Sequence, residues 1–311
     1  MATLATSPAR RPAGGATPRV RRLLASEVPD IARIFRAAFN EIYERRGYGP
    51  IVVDESVGRV IAETYLDHDP EHCFVVEVEG RLAGSGFLHP RGEVAGIGPV
   101  TIDPAMQGQG LGRLLVSELC RRADELGIPS LRLIQDAFNE NSYALYASLG
   151  FLPRGVLARA SFPAKPCGRP RVIRAAGKVD LPRIEGLEQE CLGFSRRRDY
   201  DLLRRTGEIF VLDGADGLEG WLARIVRGPV AVLGPVLSRT SEGMCQLVAG
   251  ASADLPAETD VRMLLPSECS ELMAELGPQG LEIHSLCNYM VRGSFGGIRG
   301  YYAPTLFPES G

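Results

Sequence analysis

The stretch Pro104-Ala-Met-Gln-Gly-Gln-Gly-Leu-Gly112 joins a strand-like run, Gly98-Pro-Val-Thr-Ile102, to a strongly helical one that continues to Leu126. A glycine-dense turn that enters a helix leaves several backbone N–H groups without internal partners, and they point at one spot where the helix dipole is positive. Glycine residues at 108, 110 and 112 lack the Cβ atoms that would keep a diphosphate from reaching those amides. The stretch therefore predicts a phosphate-binding loop.

Spacing distinguishes this loop from other phosphate loops. A P-loop requires Gly-Lys-Ser/Thr, which does not follow here, and a dinucleotide fingerprint requires glycine where this chain has Arg113. The pattern that remains is Gln-x-x-Gly-x-Gly, at Gln107, Gly110 and Gly112. It resembles the pyrophosphate-binding loop of the GNAT superfamily of acetyl-CoA-dependent N-acetyltransferases. A glycine-rich turn without a ligand is the alternative that the loop alone leaves open.

A second stretch resembles the other GNAT signature. In Asn139-Glu-Asn-Ser-Tyr-Ala-Leu-Tyr-Ala-Ser-Leu-Gly-Phe151, an Asn, a small residue, Leu-Tyr and Gly-Phe recur at the family's offsets. The matching positions are Asn139, Ser142, Leu145, Tyr146, Gly150 and Phe151, with Ser142 replacing the more usual alanine. The two motifs occur in the family's order, and the resemblance covers about Val20 to Arg159.

Composition limits the class of protein and its partners. A length of 311 residues suggests about two domains, and 45% hydrophobic with 23% charged residues is ordinary for globular proteins. A net charge of −3 gives no reason to expect nucleic acid or an anionic membrane as partner, and no apolar run approaches the ~20 residues that span a bilayer. The seven cysteines form no C-x-x-C pair and do not group with the four histidines, so zinc and redox motifs are not indicated. Without a signal peptide, we expect reduced thiols in a cytoplasmic protein.

The chain is predicted to contain four segments. Residues 1–18 are expected to be a disordered tail, with an organellar transit peptide as the alternative, and 19–162 the catalytic GNAT domain. The Pro-rich residues 163–170 are expected to be a linker, and 171–311 a second, degenerate GNAT-like domain. The predicted fold class is α/β, of the α+β layered kind: two GNAT-like domains, each with a mixed, mostly antiparallel sheet flanked by helices.

The second domain is interpreted as a copy of the first. Val232-Leu-Gly-Pro-Val236 resembles the run that ends at Val100, and Glu271-Leu-Met-Ala-Glu-Leu-Gly277 resembles the run that ends at Gly150. A repeat of this length implies a duplicated domain, although chance similarity of short apolar runs is the alternative.

The copy differs where the chemistry would occur. No Gln-x-x-Gly-x-Gly follows Val236, Glu242 would repel a diphosphate, and Met273 stands opposite Tyr146. This pattern resembles bacterial tandem-GNAT proteins, in which the N-terminal half keeps the cofactor and the C-terminal half is degenerate.

The resemblance implies acetyl-CoA as co-substrate, no metal, and a set of contacts. A backbone amide on the strand before the loop would stabilise the thioester carbonyl, and Tyr146 would be the general acid that protonates the leaving thiolate. Helix capping by Asn139 and simple packing by Tyr146 are the alternatives. The implied cofactor-binding residues are Val100, Thr101, Ile102, Gln107, Gly108, Gln109, Gly110, Leu111, Gly112, Asn139, Ser142 and Tyr146.

The general base is less clearly indicated than the acid. Glu93 is placed on the same strand as the amide donor, where many relatives carry a carboxylate, and a surface glutamate is the alternative. His89, Tyr43 and a water relay are weaker candidates.

The predicted function is acetyl transfer from acetyl-CoA to a primary amine of a small molecule or peptide, by direct attack. A CoA-binding sensor without turnover, or an acyltransferase that uses a longer acyl-CoA, is the alternative. We expect a monomer with pseudo-dimeric halves or a homodimer.

Overall fold

The computed structural model describes residues 17–164 and 173–305. Most of the predicted tail and linker therefore lie outside the described residues, as does the C-terminal end of the chain. Of the predicted linker, Pro163 is described as the last residue of a strand and Ala164 as a buried residue.

The first half of the chain has ten regular elements. They are β1 (Arg19–Arg22), α1 (Val28–Arg45), α2 (Glu55–His68), β2 (Cys73–Val78), β3 (Arg81–Arg91), β4 (Val94–Ile102), α3 (Leu111–Glu125), β5 (Ser130–Asp136), α4 (Glu140–Ser148) and β6 (Leu152–Pro163). These elements follow one another as a strand, two helices, three strands, and then helix, strand, helix and strand.

The second half repeats that order and adds one short strand. Its elements are β7 (Arg174–Ala175), α5 (Leu181–Leu192), α6 (Tyr200–Thr206), β8 (Glu208–Gly214), β9 (Gly217–Arg227), β10 (Val230–Ser238), α7 (Ser241–Ser252), β11 (Asp260–Pro266), α8 (Ser270–Leu276), β12 (Glu282–Gly293) and β13 (Tyr301–Ala303). The shared order supports the interpretation of a duplicated domain.

By packing, the chain forms two compact units, and their limits differ from the predicted domain boundaries. The first contains residues up to His89 together with Ile97–Leu126, and the second contains Pro90–Gly96 and the chain from Gly127 onward. Strands β5 and β6 and helix α4 of the first half are therefore packed with the second half.

The first unit carries an antiparallel sheet covered by helices. β1 pairs with β2, and β2 pairs with β3. Helix α3 buries Leu115 and Leu119, and a Cβ atom added at Gly86 on β3 would lie 3.0–3.3 Å from these two side chains. The absence of a side chain at this position of β3 thus lets the helix pack closely on the sheet.

In the part of the sheet that belongs to the second unit, the two halves of the chain exchange their last long strands. β12 of the second half pairs antiparallel with both β5 and β6 of the first half, and β6 in turn pairs antiparallel with β11. The sheet continues through β10, β9, β8 and β7, and two of its pairings are parallel: that of β11 with β10, and that of Val94–Gly96 with Ser130–Arg132. The predicted class, a mixed and mostly antiparallel sheet flanked by helices, is confirmed.

The core of the second unit draws on both halves of the chain. Ala158, Ala160 and Phe162 of β6 belong to the same buried cluster as Val261 and Met263 of β11. No helix within residues 17–164 and 173–305 is long and apolar enough to cross a membrane.

Candidate functional site

The glycine loop has the backbone conformation that the sequence predicts for it. Gly108 and Gly110 adopt left-handed conformations, with φ of 76° and 81°, and a Cβ atom at either position would meet open space. Helix α3 begins directly after Gly110, which supplies no side-chain cap, and Leu114 N–H donates to the Gly110 carbonyl oxygen at 3.0 Å. The backbone N–H groups that precede Leu114 in the first turn of α3 cannot bond within the helix, so this terminus is suited to an anion.

Two polar side chains hold the loop, and one of them was not predicted. The Asp103 carboxylate accepts from Ala105 N–H at 3.0 Å, and Asp103 N–H donates to the Ala83 carbonyl at 2.8 Å. The Gln107 side-chain amide donates to the Ile102 carbonyl at 3.2 Å. The motif glutamine thus braces the loop against the end of β4. An aspartate at the end of a strand, just before a proline, is the sequence signal that could have identified Asp103 as a turn-forming residue.

The predicted donor segment is the last part of β4. Thr101 is buried, and its hydroxyl lies 3.0 Å from that of Ser85 on β3, whereas Val100 and Ile102 are half-buried. Further back along the strand, the Gly98 carbonyl lies 2.8 Å from Nε2 of His89. These contacts fix β4 to β3 along the segment that leads into the loop.

The second motif forms the start of α4. The Asn139 side chain accepts from Ser142 N–H at 3.2 Å and caps the helix, while the Ser142 hydroxyl donates to the Asn139 carbonyl at 3.0 Å. The capping role is confirmed, and contact of Asn139 and Ser142 with the cofactor stays a prediction. Tyr146 is half-buried and contacts the ring of Phe151 edge-on at 5.9 Å between centroids. Helix α4 has no buried residue, so Tyr146 is not a core side chain.

Gln135 organises this region, although it belongs to neither of the two sequence motifs. Its side-chain amide donates to the Asn139 carbonyl at 2.8 Å and to the Ser142 hydroxyl at 3.0 Å, and its oxygen accepts from Asn288 of β12 at 2.8 Å. Gln135 is 2% exposed and follows Leu131 and Leu133 on the inward face of β5. A polar residue at an inward position of an alternating strand is the signal that could have identified it.

The candidate bases occupy different environments. Glu93 lies in the exposed turn before β4, so its predicted place on the strand is wrong by one residue. It lines a cavity together with Ser130 and Arg132 of β5. His89 and Tyr43 are each 2% exposed and belong to the protein interior.

The structure groups some of the predicted residues and separates others. Residues 100–112 form one continuous strand, turn and helix start within the first compact unit. Asn139, Ser142 and Tyr146 share helix α4 and its cap in the second unit, to which Glu93 also belongs.

The equivalent helix in the second half begins differently. Thr240 caps α7, and its hydroxyl accepts from Gly243 N–H at 3.0 Å. The Glu219 carboxylate on β9 accepts from the Thr240 backbone N–H at 3.1 Å and from its hydroxyl at 2.6 Å. A carboxylate of the protein itself therefore lies at this helix start.

The described cysteines are unsuited to nucleophilic chemistry. All six are free and buried, and burial raises the pKa of the Cys73 and Cys287 thiols to about 12. Within the described part of the chain, no group of three or more His, Cys, Asp or Glu side chains could hold a metal ion.

Comparison with known proteins identifies the family. Residues 28–151 match the acetyltransferase (GNAT) family. The chain is 31% identical over 146 residues to YjgM of Escherichia coli, an uncharacterized N-acetyltransferase, in a match that covers 43% of this chain and 82% of that protein. It is 39% identical over 87 residues to the mycothiol acetyltransferase of Thermomonospora curvata, where the match covers 27% of this chain and 28% of that protein.

Solved structures resemble nearly the whole chain in fold. A Pyrococcus horikoshii protein assigned as an acetyltransferase matches with a TM-score of 0.74 at 18% identity, over 94% of this chain and 96% of that one. A tandem GNAT protein from the clavulanic acid biosynthesis pathway matches with a TM-score of 0.59 at 16% identity, over 89% of this chain and 98% of that one. With the glycine loop, the capped second motif and the repeated element order, these matches show that the chain belongs to the GNAT family of N-acetyltransferases and is of the tandem type.

Proposed function

We propose that the protein transfers an acetyl group from acetyl-CoA to a primary amine of a small molecule or peptide, and that one acetyl-CoA binds in the N-terminal half. The observation that carries this proposal is the start of α3, where Gly108 and Gly110 hold an exposed backbone turn without a capping side chain. In the proposal, the backbone N–H groups of residues 107–112 bind the pyrophosphate of the co-substrate, and the helix dipole adds to the attraction.

The chemistry that the proposal requires begins with a neutral amine. An amine with a pKa near 10.4 is neutral in only about one molecule in 2,500 at pH 7, which adds roughly 4.6 kcal/mol to the barrier. A base or a desolvating site must offset this cost. Glu93 is the proposed base: it is an exposed carboxylate in the turn before β4, and because seven residues of extended strand, roughly 23 Å, separate it from Val100, it receives the proton through water and not by direct contact.

The remaining steps are assigned to β4 and α4. A backbone N–H within Val100–Ile102 stabilises the negative charge that develops on the thioester oxygen. The Tyr146 phenol protonates the departing thiolate, and its half-buried position on α4 supports a role other than core packing. The amine nitrogen thus forms the new C–N bond while the C–S bond of the thioester breaks.

The proposal also covers the oligomeric state and the cellular location of the protein. The strand exchange between β6 and β12 supports a monomer with pseudo-dimeric halves, because each half already completes the sheet of the other. Six free, buried thiols support a reducing, cytoplasmic location.

Release of free thiol from acetyl-CoA, measured with and without candidate amines, tests the function. The panel contains amino acids, polyamines, aminoglycosides and peptides with a free amino terminus, because GNAT folds accept such different amines. We expect amine-dependent thiol release with formation of the N-acetyl product, identified by mass spectrometry. CoA binding without amine-dependent release would favour the CoA sensor, and release only from longer thioesters would favour a different acyl donor.

A further inference from the structure

Helix α4 carries the proposed general acid, yet the protein core does little to hold this helix in place. It has nine residues, Glu140–Ser148, and none of them is buried. Isolated helices shorter than about 12–15 residues are marginal in water, and most helices in proteins depend on an apolar face that packs against the core. The position of α4 therefore depends strongly on the contacts at its two ends.

The end of α4 is held by contacts within the first half of the chain. Phe151 N–H donates to the Tyr146 carbonyl oxygen at 3.0 Å, and the buried ring of Phe151 contacts the Tyr146 ring. One fixed end does not determine the direction of a helix axis. The contacts at the start of α4 are needed to place the phenol.

The start of α4 is attached to β5 through Gln135. The nitrogen of this buried side chain donates to the Asn139 carbonyl at 2.8 Å and to the Ser142 hydroxyl at 3.0 Å. Asn139 caps the helix, and Ser142 lies on the same face as Tyr146, because residues four apart are neighbours on a helix surface. A change in the orientation of the Gln135 amide would thus act on the face of α4 that carries the phenol.

The orientation of the Gln135 amide depends on Asn288, a half-buried residue of the second half. The two residues lie directly opposite each other on the antiparallel strands β5 and β12, and Nδ2 of Asn288 donates to Oε1 of Gln135 at 2.8 Å. The nitrogen of Gln135 faces the Asn139 carbonyl, which can only accept, so the oxygen of the same amide needs a donor. Asn288 supplies that donor, and without it a buried amide oxygen loses its hydrogen bond.

A backbone contact supports the same attachment. Ala137 N–H, between β5 and α4, donates to the carbonyl oxygen of Leu286 on β12 at 2.9 Å. Strand β12 therefore follows the chain from β5 into the turn that leads to α4. All of these residues belong to the second compact unit. A helix of the first half is thus held at its start by a strand of the second half.

We propose that Asn288 is a positioning residue for Tyr146: by donating to Gln135, it fixes the start of α4 and with it the direction of the phenol. The inference rests on the proposed function, in which Tyr146 protonates the departing thiolate. It gives the second half a part in catalysis beyond completing the sheet. Asn288 acts only through Gln135 and α4, and a catalytic group that is misplaced by about 1 Å can cost about 100-fold in rate.

Two substitutions of Asn288 in the full-length protein test this hydrogen bond. Asn288→Ala removes the donor, whereas Asn288→Asp replaces it with an acceptor that repels the Gln135 oxygen and favours the flipped amide. We expect kcat to fall about 10-fold for Asn288→Ala and up to about 100-fold for Asn288→Asp. The dissociation constant of acetyl-CoA should stay unchanged, because the backbone amides proposed to bind the diphosphate belong to residues 107–112.

A double-mutant cycle with Tyr146→Phe separates positioning from a general structural role. Because Asn288 is proposed to act through the phenol, Asn288→Ala should lower kcat by less than about 2-fold when Tyr146 is already phenylalanine. Glu219→Ala is the control for stability, since it removes a hydrogen-bonded side chain elsewhere in the second half, and it should leave kcat unchanged. Equal losses with and without the phenol, or a natural kcat for Asn288→Asp, would overturn the proposal.

Hydrogen exchange, followed by mass spectrometry, tests the attachment of α4 without reference to activity. We expect the backbone amides of residues 139–148 to exchange about 3- to 10-fold faster in Asn288→Ala, whereas those of α8 keep their natural rates. Unchanged exchange in residues 139–148 would overturn the inference whatever the activity. Faster exchange there, in a protein that acetylates none of the amines, would support the attachment of α4 and contradict the proposed function instead.

Discussion

Helices α3 and α7 follow equivalent strands in the two halves of the chain, and their first turns differ in one respect. Helix α3 begins after the exposed Gly110 without a capping side chain, whereas α7 begins at Thr240, whose backbone N–H and hydroxyl both donate to the Glu219 carboxylate. Both starts offer the positive end of a helix dipole. In the second half a carboxylate of the protein already binds at this helix start, whereas the described residues place no side-chain cap at the start of α3, where the co-substrate is proposed to bind.

The largest expected effect comes from separating the two halves. A chain that ends at Phe162 lacks β11 and β12, so β6 loses both of its neighbours and exposes Leu157, Ala158 and Ala160, which are buried in the full chain. We expect this chain to aggregate or to unfold without a cooperative transition, as measured by size-exclusion chromatography and circular dichroism. Residues 171–311 supplied as a separate chain should restore soluble protein, and a monomeric, fully active chain ending at Phe162 would show that the halves fold independently.

Tyr146→Phe tests the chemical difference between the halves. Loss of the phenol should lower kcat by about 10²- to 10⁴-fold, or roughly 3 to 5 kcal/mol in barrier height, with the dissociation constant of acetyl-CoA unchanged. The matched control is Met273→Leu in the second half, which should leave kcat unchanged because Met273 packs against the core there. Near-normal turnover of the Tyr146 variant between pH 7 and 9 would leave that residue a packing role only.

A buried carboxylate distinguishes α5 from α1, which buries no charged side chain. Burial raises the pKa of Glu188 from 4.5 to about 7, although its carboxylate accepts from Tyr200 and from Arg196 N–H. The folded state keeps this proton up to about pH 7, whereas the unfolded state loses it above about pH 4.5, so stability falls as pH rises between these values. The difference corresponds to about 3 kcal/mol.

Urea denaturation at pH 5 and pH 8 measures this effect. The natural protein should lose up to about 3 kcal/mol of unfolding free energy between the two pH values, relative to Glu188→Gln, which cannot ionise. The same pH dependence in both proteins would assign it to other groups.

Substitutions at Gly110 test whether the start of α3 binds the diphosphate of CoA. An aspartate or an asparagine at this position adopts the left-handed conformation at similar cost, but only the aspartate adds a negative charge where the diphosphate is proposed to bind. Gly110→Asp should raise the dissociation constant of CoA at least about 100-fold, and Gly110→Asn much less. Isothermal titration of the natural protein should give one CoA per chain, and a stoichiometry of two would contradict the comparison.

The smallest expected effect concerns the start of α7 in the second half, where the Glu219 carboxylate accepts from Thr240. Glu219→Ala removes the acceptor of the Thr240 N–H and hydroxyl and should destabilise the protein by about 1 to 2 kcal/mol, with a smaller loss for Glu219→Gln. Thermal unfolding measures the loss. CoA stoichiometry should stay at one, because no glycine loop precedes α7, and binding of a second CoA would mean that Glu219 alone keeps that site closed.

The sequence by itself determined the elements and the loop. The glycines before Leu111 predicted an open helix start because only a backbone without Cβ atoms combines left-handed turns with close approach of an anion. Asn139 at the start of α4 and the repeated order of strands and helices follow from equally local rules of capping and periodicity.

Only the tertiary structure decided which strands are neighbours and which charges are buried. The alternation of apolar and polar residues along β6 and β12 determines which face of each strand is covered. It does not specify the partner strand, so the sequence pattern does not predict the exchange of strands between the two halves. Ser130 and Arg132 alternate with leucines and indicate a solvent-facing side of β5. They are buried because Phe194 and Tyr289, more than 60 residues further along the chain, pack over Arg132, and the sequence around β5 contains nothing of those contacts.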